Sequence, residues 1–295
     1  MWERMTIDEY AEFEQANGTT VVRVNGFWWK KIRPFFYQPL FPFNGIDLHL
    51  VTPPRGSSIG GFRCVVKNHE MANCKMSYFL FDDIREYSIG ALSKYHRWCI
   101  RKGQSHIDLR IVSDIDEFIS YGHKAYLEFY ERTAYSYKKE RQQLKFYIKW
   151  AETLFRFPKI KILGAYHEGK LSAISVSYLV EDILYDATFF SNNECMKLKV
   201  TDLVIHTIRQ EAAESGLARY IYFGVVTGIK NLDKSKLLRG CKIIELPAFY
   251  RVNPLAHFTL KLFFPREYSK FVGNYANSEI GEEDPVTVAK DHSGH

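Results

Sequence analysis

The segment from Lys161 to Gly240 constrains the fold more than any other part of the chain, because its turns and apolar periodicities follow one strict order. Three strands come first, joined by turns at Glu168-Gly169 and Glu181-Asp182. An amphipathic helix follows, with Thr201 or Asp202 as its cap and Gly216 after its last turn. The predicted elements are strands Lys161–His167, Lys170–Leu179 and Ile183–Phe190, helix Leu203–Ser215 and strand Ala218–Gly224. This order predicts a mixed α/β unit.

The first half of the chain shows strands followed by helices as well. Asn25-Gly26 after an alternating run predicts a hairpin turn. Further predicted strands are Thr20–Val24, Asp47–Thr52, Met76–Phe81 and His106–Val112, and predicted helices are Asp83–Lys102, closed by Gly103, one that begins after Ser113, and Tyr137–Phe155. The repeated order of strands and then helices indicates duplication of one α/β unit. Beyond these elements, Cys241–Val252 is predicted to be extended and Phe258–Phe264 helical.

Composition and charge narrow the classes of protein. Of 295 residues, 46% are hydrophobic and 16% aromatic, which excludes a disordered chain and supports a normal globular core. The formal charge of +6 favours anionic partners such as tRNA, CoA or an anionic lipid surface. Many enzymes without a polyanionic partner carry a similar charge.

The cysteines and the N-terminus indicate the compartment. Five cysteines occur, with no CxxC pair and no zinc spacing, which is typical of free thiols in a reducing compartment. The N-terminal residues MWERMTIDEY lack a signal-peptide pattern, and no run of 18 apolar residues occurs. We therefore expect a cytoplasmic protein with no metal site and no transmembrane segment.

Specific residues make the α/β prediction sharper. The order of elements over Lys161–Gly224 is that of the GNAT core, in which two splayed parallel strands open a cleft for an acyl donor. The runs 162–194, 198–226 and 228–247 resemble the second domain of FemABX-like transferases. ALSKYHRWCIRKG (91–103) is similar to the family's segment that joins its two domains. The resemblance covers roughly Ala91 to Pro254, and residues 1–90 match only in general character.

The resemblance implies a fold class and a domain plan. The fold is α/β with mixed sheets, in which two GNAT-like domains stand in tandem and the first is degenerate. The predicted domains are 1–108, 109–250, and a C-terminal segment 251–295 that packs back on the first domain and ends in a frayed tail. Residues from about 274 onward are polar, which is why fraying is expected.

A missing motif bears on the acyl donor. CoA-dependent GNAT enzymes open the helix after the third strand with a glycine-rich loop, whose backbone amides approach the pyrophosphate. The corresponding run here, NNECMKLKVTDL, contains no glycine. This favours the donor of the FemABX pattern, an aminoacyl-tRNA, as a co-substrate, with no separate cofactor.

Three residues are candidates for catalysis. The family's Leu-x-x-Phe-Lys-x-x-Phe-Gly-like segment corresponds to Leu232–Gly240, which we expect to form a loop, although Ser235 and Arg239 replace both aromatics. Its Lys236 could stabilise charge on the donor carbonyl. On the third strand, Asp186 could position or deprotonate an attacking amine, and Tyr185 could donate a hydrogen bond. The alternatives are a solvated lysine, an outward-facing strand carboxylate and a packed aromatic.

Other residues are candidates for holding the donor. Basic residues on the predicted helix and loop could contact phosphates, and the strand-ending glycine could let the backbone approach a ligand. These residues are Arg97, Arg101, Lys102, Gly224, Lys230 and Lys234. A solvated basic surface remains the alternative for the cations.

Three functions stay open. The leading hypothesis is a transferase that forms an amide by moving an aminoacyl group from aminoacyl-tRNA to an amine of a peptide, a peptidoglycan precursor or a small molecule. The second is an N-acyltransferase that uses acyl-CoA or an acyl carrier protein. The third is a non-catalytic GNAT-like module that binds RNA or a protein.

Overall fold

A computed structural model describes residues 2–133, 137–227, 230–263, 265 and 268. In these ranges the strands are β1 Arg4–Met5, β2 Val21–Val24, β3 Phe27–Arg33, β4 Phe36–Pro39, β5 Gly61–Val65, β6 Cys74–Phe81, β7 Asp108–Ile111, β8 Lys161–His167, β9 Lys170–Val180, β10 Ile183–Ser191, β11 Tyr220–Val225 and β12 Lys242–Val252. The α-helices are α1 Ile7–Ala16, α2 Lys94–Gln104, α3 Ile115–Glu117, α4 His123–Arg132, α5 Leu144–Arg156, α6 Asn193–Lys197, α7 Val200–Ser215, α8 Lys230–Leu238 and α9 Pro254–Phe263.

One mixed sheet joins the two halves of the chain. Its strand order is β2-β3-β4-β5-β12-β6-β11-β10-β9-β8-β7, and β1 pairs with β9 outside this path. The late strand β12 lies between β5 and β6, while β1 from the N-terminus runs parallel to β9. The division into domains at 108 and 250 stays a prediction. In the described part of the predicted C-terminal segment, the Asn253 amide donates to the Gly60 carbonyl over 2.9 Å.

Tight turns join neighbouring strands at the positions that the sequence predicted. Asn25 and Gly26 have φ of +48° and +82°, the combination that a two-residue hairpin with a type I′ turn requires. Glu168 and Gly169 have φ of +49° and +76° between β8 and β9. The predicted hairpin and the three strands before α7 are therefore confirmed.

Helices cover both faces of the central strands. On one face α1, α4 and α5 pack over an aromatic cluster that includes Tyr147 and Trp150. On the other face α7 and α2 pack over a mainly aliphatic cluster. Gly103 lies inside α2, where an added β-carbon would stand 2.9 Å from the Leu203 β-carbon of α7. Gly103 thus permits close helix contact, and the prediction that it ends the helix is wrong, because the C-cap is Ser105.

Two predicted elements of the first half differ from the structure. Asp47–Thr52 is not a strand, because the Asp47 side chain accepts from the His49 amide at 3.0 Å and the chain turns there. The helix predicted from Asp83 begins only at Lys94, where the Ser93 hydroxyl accepts from the His96 amide. Short 3-10 turns occupy the residues before it.

Two further helix starts also lie elsewhere than predicted. The helix predicted over Tyr137–Phe155 starts at Leu144, because Lys138 has a left-handed φ of +58° and short 3-10 turns follow it. Helix α7 starts one to two residues before the caps predicted at Thr201 or Asp202, with Lys199 as N-cap at φ +66°.

The C-terminal end of the described chain is helical, as Phe258–Phe264 predicted, although Phe264 and the tail from residue 274 lie outside the described residues. Among the residues that the structure describes, no helix combines the length and apolar character needed to cross a bilayer.

Candidate functional site

The strands β10 and β11 open away from each other near the middle of the sheet. They pair in parallel from Ile183–Tyr220 to Tyr185–Tyr222, and the pairing stops there although both strands continue. An irregularity between Asp186 and Thr188 shifts the register of β10 against β9, and another lies in β11 after Tyr222. Irregular strands of this kind re-aim side chains next to functional sites. This opening is therefore the first place to look for chemistry.

Asp186 lies at this opening, on a face lined by two serines of β9. Ser175 Oγ donates to Asp186 Oδ1 over 3.0 Å, and Ser177 Oγ donates over 3.4 Å. Burial raises the pKa of Asp186 to about 6, while the two serine bonds and Lys236 act in the opposite direction. A carboxylate with this pKa is mostly ionised at neutral pH and accepts a proton readily.

Lys236 reaches the same opening from helix α8. The segment Leu232–Gly240 was predicted to form a loop, but most of it belongs to this helix. The Lys236 side chain is buried, and the residue is 9% exposed. Its Nζ lies 4.6 Å from the centroid of the Phe79 ring, and 3.2 Å from where a β-carbon would stand on Gly224. Burial lowers the pKa of Lys236, while Asp233, Cys241 and Asp186 counteract that effect. The structure thus brings together three predicted residues, Lys236, Asp186 and Gly224.

Asp233 fixes the orientation of α8. It is fully buried and accepts hydrogen bonds from the Thr227 amide, over 3.1 and 3.2 Å, and from the Thr227 hydroxyl, over 2.8 Å. These bonds tie the helix to the chain that leaves β11. Asp233 was not predicted, although its spacing of three from Lys236, which places both residues on one helix face, was an available signal.

Tyr185 lies on the opposite side of the sheet from Asp186, because neighbouring residues of a strand alternate in direction. Its ring stacks on Tyr178 with centroids 5.3 Å apart and meets Tyr222 edge-on at 5.1 Å. Its buried hydroxyl finds no partner among the described residues. The structure does not bring Tyr185 together with Lys236 and Asp186.

The predicted donor-binding cations spread over two helices. On α2, Arg97 donates to the Gly90 carbonyl over 2.9 Å, Arg101 is exposed, and Lys102 Nζ lies 5.5 Å from the Trp98 ring centroid. Lys230 and Lys234 are exposed on α8. None of the contacts given for these five cations involves Asp186. Their binding to a donor stays a prediction.

A second buried polar cluster, not predicted, joins three helical segments. Asp202 in the first turn of α7 lies 2.8 Å from His96 Nδ1 of α2 and 3.4 Å from Arg239 Nε, just past α8. Asp202 was predicted only as a helix cap. Because its partners are 106 and 37 residues away, no local pattern indicated them.

Among the described residues, neither potential metal ligands nor the two open hollows give a competing site. Within the described residues, no group of three or more His, Cys, Asp or Glu side chains is placed to hold a metal ion. One open hollow lies near His106 and Tyr166, and another near Asp82 and Arg219. Neither is lined by Lys236 or Asp186, so the candidate site rests on the side-chain geometry and not on the depth of a cavity.

Comparison with solved structures identifies the fold. FemX matches 86% of this chain and 92% of its own, with a TM-score of 0.59 at 8% identity. The C-terminal domain of a putative lysylphosphatidylglycerol synthetase from Agrobacterium fabrum matches 87% and 91%, with a TM-score of 0.56 at 11% identity. A conserved protein of unknown function from Bacteroides thetaiotaomicron matches 85% and 92%, with a TM-score of 0.54 at 13% identity.

The chain has a FemX-like fold. The predicted α/β fold class with a mixed sheet is confirmed. No family model matches the sequence, and no curated protein matches it. Sequence identities this low show only that the folds are similar. Any conclusion about function must therefore come from the site residues.

Proposed function

We propose that this chain is a transferase that moves an aminoacyl group from aminoacyl-tRNA to an amine of a peptide, peptidoglycan precursor or small molecule. The observation that carries the proposal is that Asp186 lies where β10 and β11 part and that the buried Lys236 interacts with it electrostatically. A proton acceptor and a buried cation at one strand opening suit attack of an amine on an activated carbonyl.

Each residue has a defined part in the proposed reaction. The amine nitrogen bonds to the donor carbonyl carbon, and Asp186 accepts the proton that this nitrogen loses. Lys236 in its protonated form stabilises the negative charge that develops on the carbonyl oxygen. The ester bond to the tRNA ribose then breaks, and the released oxygen takes up a proton. Orientation of the two substrates supplies the remaining rate enhancement.

The first turn of α7 supports a donor other than CoA. A CoA pyrophosphate would approach the amides at the start of this helix, where positive potential attracts anions. Here the carboxylate of Asp202 already lies in that turn, held by His96 and Arg239. The run that opens this helix contains no glycine, so its backbone amides are less accessible to a pyrophosphate. The formal charge of +6 adds support for a polyanionic donor.

The names of the fold relatives agree with this choice. The Agrobacterium domain belongs to a protein named as a putative lysylphosphatidylglycerol synthetase, a name that contains an aminoacyl group. This agreement in name supports an aminoacyl donor for the present chain and leaves the acceptor open.

A comparison of donors tests the proposal. Purified full-length protein is incubated with a panel of amines and with either tRNA charged with labelled amino acids or labelled acyl-CoA. Transfer of label from the charged tRNA, abolished by prior deacylation of the tRNA, is the expected result. Transfer from acyl-CoA alone would overturn the tRNA donor, and transfer from neither donor would overturn the enzymatic function.

A further inference from the structure

Three segments meet at one end of the sheet, far along the chain from one another. The Gly61 amide at the start of β5 donates to the Phe35 carbonyl in the turn after β3, over 3.1 Å. At the junction between β12 and α9, Asn253 donates to the carbonyls of Gly60, over 2.9 Å, and Ser58, over 3.2 Å. The β3–β4 turn, the residues before β5 and helix α9 therefore share one end of the molecule.

Large apolar side chains protrude from this end. Six of them are between 47% and 75% exposed, and together they form what we term the apolar tip: Phe35, Ile59, Leu255, Phe258, Leu262 and Phe263. Leu255, Phe258 and Leu262 are spaced by three and four residues, which places them on one face of α9. Exposed apolar groups in such number mark an interaction surface.

The acidic and basic side chains of the three segments that form the apolar tip are all of one sign. Exposed cations on the same segments are Lys31, Arg33, Arg55, Arg251 and Lys261. No aspartate or glutamate occurs in residues 27–36, 53–63 or 246–263. Lys31 Nζ lies 5.7 Å from the Phe35 ring centroid, so one cation directly adjoins the tip.

We propose that the apolar tip docks this protein on the surface of an anionic lipid bilayer. A helix with bulky apolar residues on one face and cations beside it lies in the bilayer interface, where its cations are attracted to the anionic lipids. The ten residues of α9 are too few to span a bilayer, so the docking is peripheral. An anionic lipid surface is complementary to the exposed cations of these three segments. This inference stands independently of the proposed transfer reaction.

Vesicle co-sedimentation of the full-length chain tests the docking. Vesicles of phosphatidylcholine are compared with vesicles in which phosphatidylglycerol replaces part of it, at low and high salt. The double variant Phe258→Ser/Leu262→Ser removes apolar side chains from α9. Leu144→Ser/Phe146→Ser removes an exposed Leu and Phe from α5 and is the matched control. Lys31→Glu/Arg251→Glu tests the charges, and circular dichroism checks that each variant is folded.

The expected result is binding to the anionic vesicles at least tenfold tighter than to phosphatidylcholine, weakened by salt. The α9 and charge variants each weaken this binding at least tenfold, and the α5 variant leaves it unchanged. Absence of binding by the full-length chain would overturn the proposal, as would equal binding by the α9 variant. Self-association in sedimentation velocity that the α9 variant abolishes, without vesicle binding, would assign the tip to a second copy and also overturn it.

Discussion

The Nζ atom of Lys236 lies 3.2 Å from the position that a β-carbon would take on Gly224. Gly224 has a φ of +106°, a conformation that residues with side chains rarely adopt. The absence of a side chain on β11 therefore leaves the space into which α8 delivers its lysine. The backbone conformation at Gly224 and the position of the Lys236 side chain are therefore linked.

Gly224→Ala should damage both stability and transfer. Backbone strain at positive φ costs about 1–3 kcal/mol, and the new methyl group would crowd Lys236 Nζ. Gly169→Ala is the matched control, because φ there is +76° and nothing lies within 4 Å of the added carbon. We expect both variants to lose free energy of unfolding in urea titrations, and Gly224→Ala alone to lose most transfer activity. Equal activity of the two variants would contradict the link between Gly224 and Lys236.

Asp186→Asn should alter the pH dependence of stability. The pKa of Asp186 is about 6 in the folded chain against 3.8 ordinarily, so folding disfavours its charged form. The contribution of Asp186 is therefore most favourable below pH 3.8 and is lost as pH rises through 6. At pH 7 the variant should be more stable than the wild type by up to about 3 kcal/mol, a bound that follows from 1.4 kcal/mol per unit of pKa.

Urea unfolding at pH 4 and pH 7 measures this effect, with Asp108→Asn at an exposed position of β7 as the control for loss of one charge. The advantage of Asp186→Asn should shrink towards pH 4, and its transfer activity should be strongly reduced at both values. A stability difference that is the same at the two pH values would contradict the buried carboxylate.

Asp202→Asn should destabilise the fold more than a similar change in an exposed ion pair. Asp202 is buried between His96 and Arg239, so loss of its charge leaves Arg239 without its anion and weakens the contact with His96 of α2, at a cost of about 2 kcal/mol or more. Glu245→Gln is the comparison, because its partner Lys75 is largely exposed and such pairs contribute at most about 1 kcal/mol. Denaturant titration measures the free energy of unfolding of both variants. A smaller loss of this free energy in Asp202→Asn than in Glu245→Gln would contradict the stabilising role of Asp202.

Local patterns predicted a substantial part of this fold. The strands β8, β9 and β10, the hairpin at Asn25-Gly26 and the end of α7 at Gly216 follow from alternation and turn chemistry that act over a few residues. Lys236 was predicted from its position in a motif, and Asp186 and Gly224 were predicted from their positions on strands. The structure places the three residues at one strand opening.

Other features depend on contacts between distant residues. Nothing near β12 indicates that it inserts between β5 and β6, and nothing near Asp202 indicates His96. Lys199 starts α7 in a left-handed conformation that sequence rarely signals for a lysine. Strand alternation alone separates Tyr185 from Asp186, so the sequence already contained the reason why these two do not share one site.

The most direct test of the central claim compares Lys236→Met with Lys234→Met. Both lysines belong to α8, but Lys236 is buried at the strand opening whereas Lys234 is exposed. Single-turnover transfer of label to the amine, at a saturating concentration of the charged tRNA, measures the chemical step and is insensitive to the donor binding predicted for Lys234, and circular dichroism checks folding. Loss of a cation that stabilises the developing oxyanion should slow Lys236→Met by roughly 100-fold or more, with Lys234→Met within about threefold of the wild type. A folded Lys236→Met variant that transfers as fast as Lys234→Met would contradict the account.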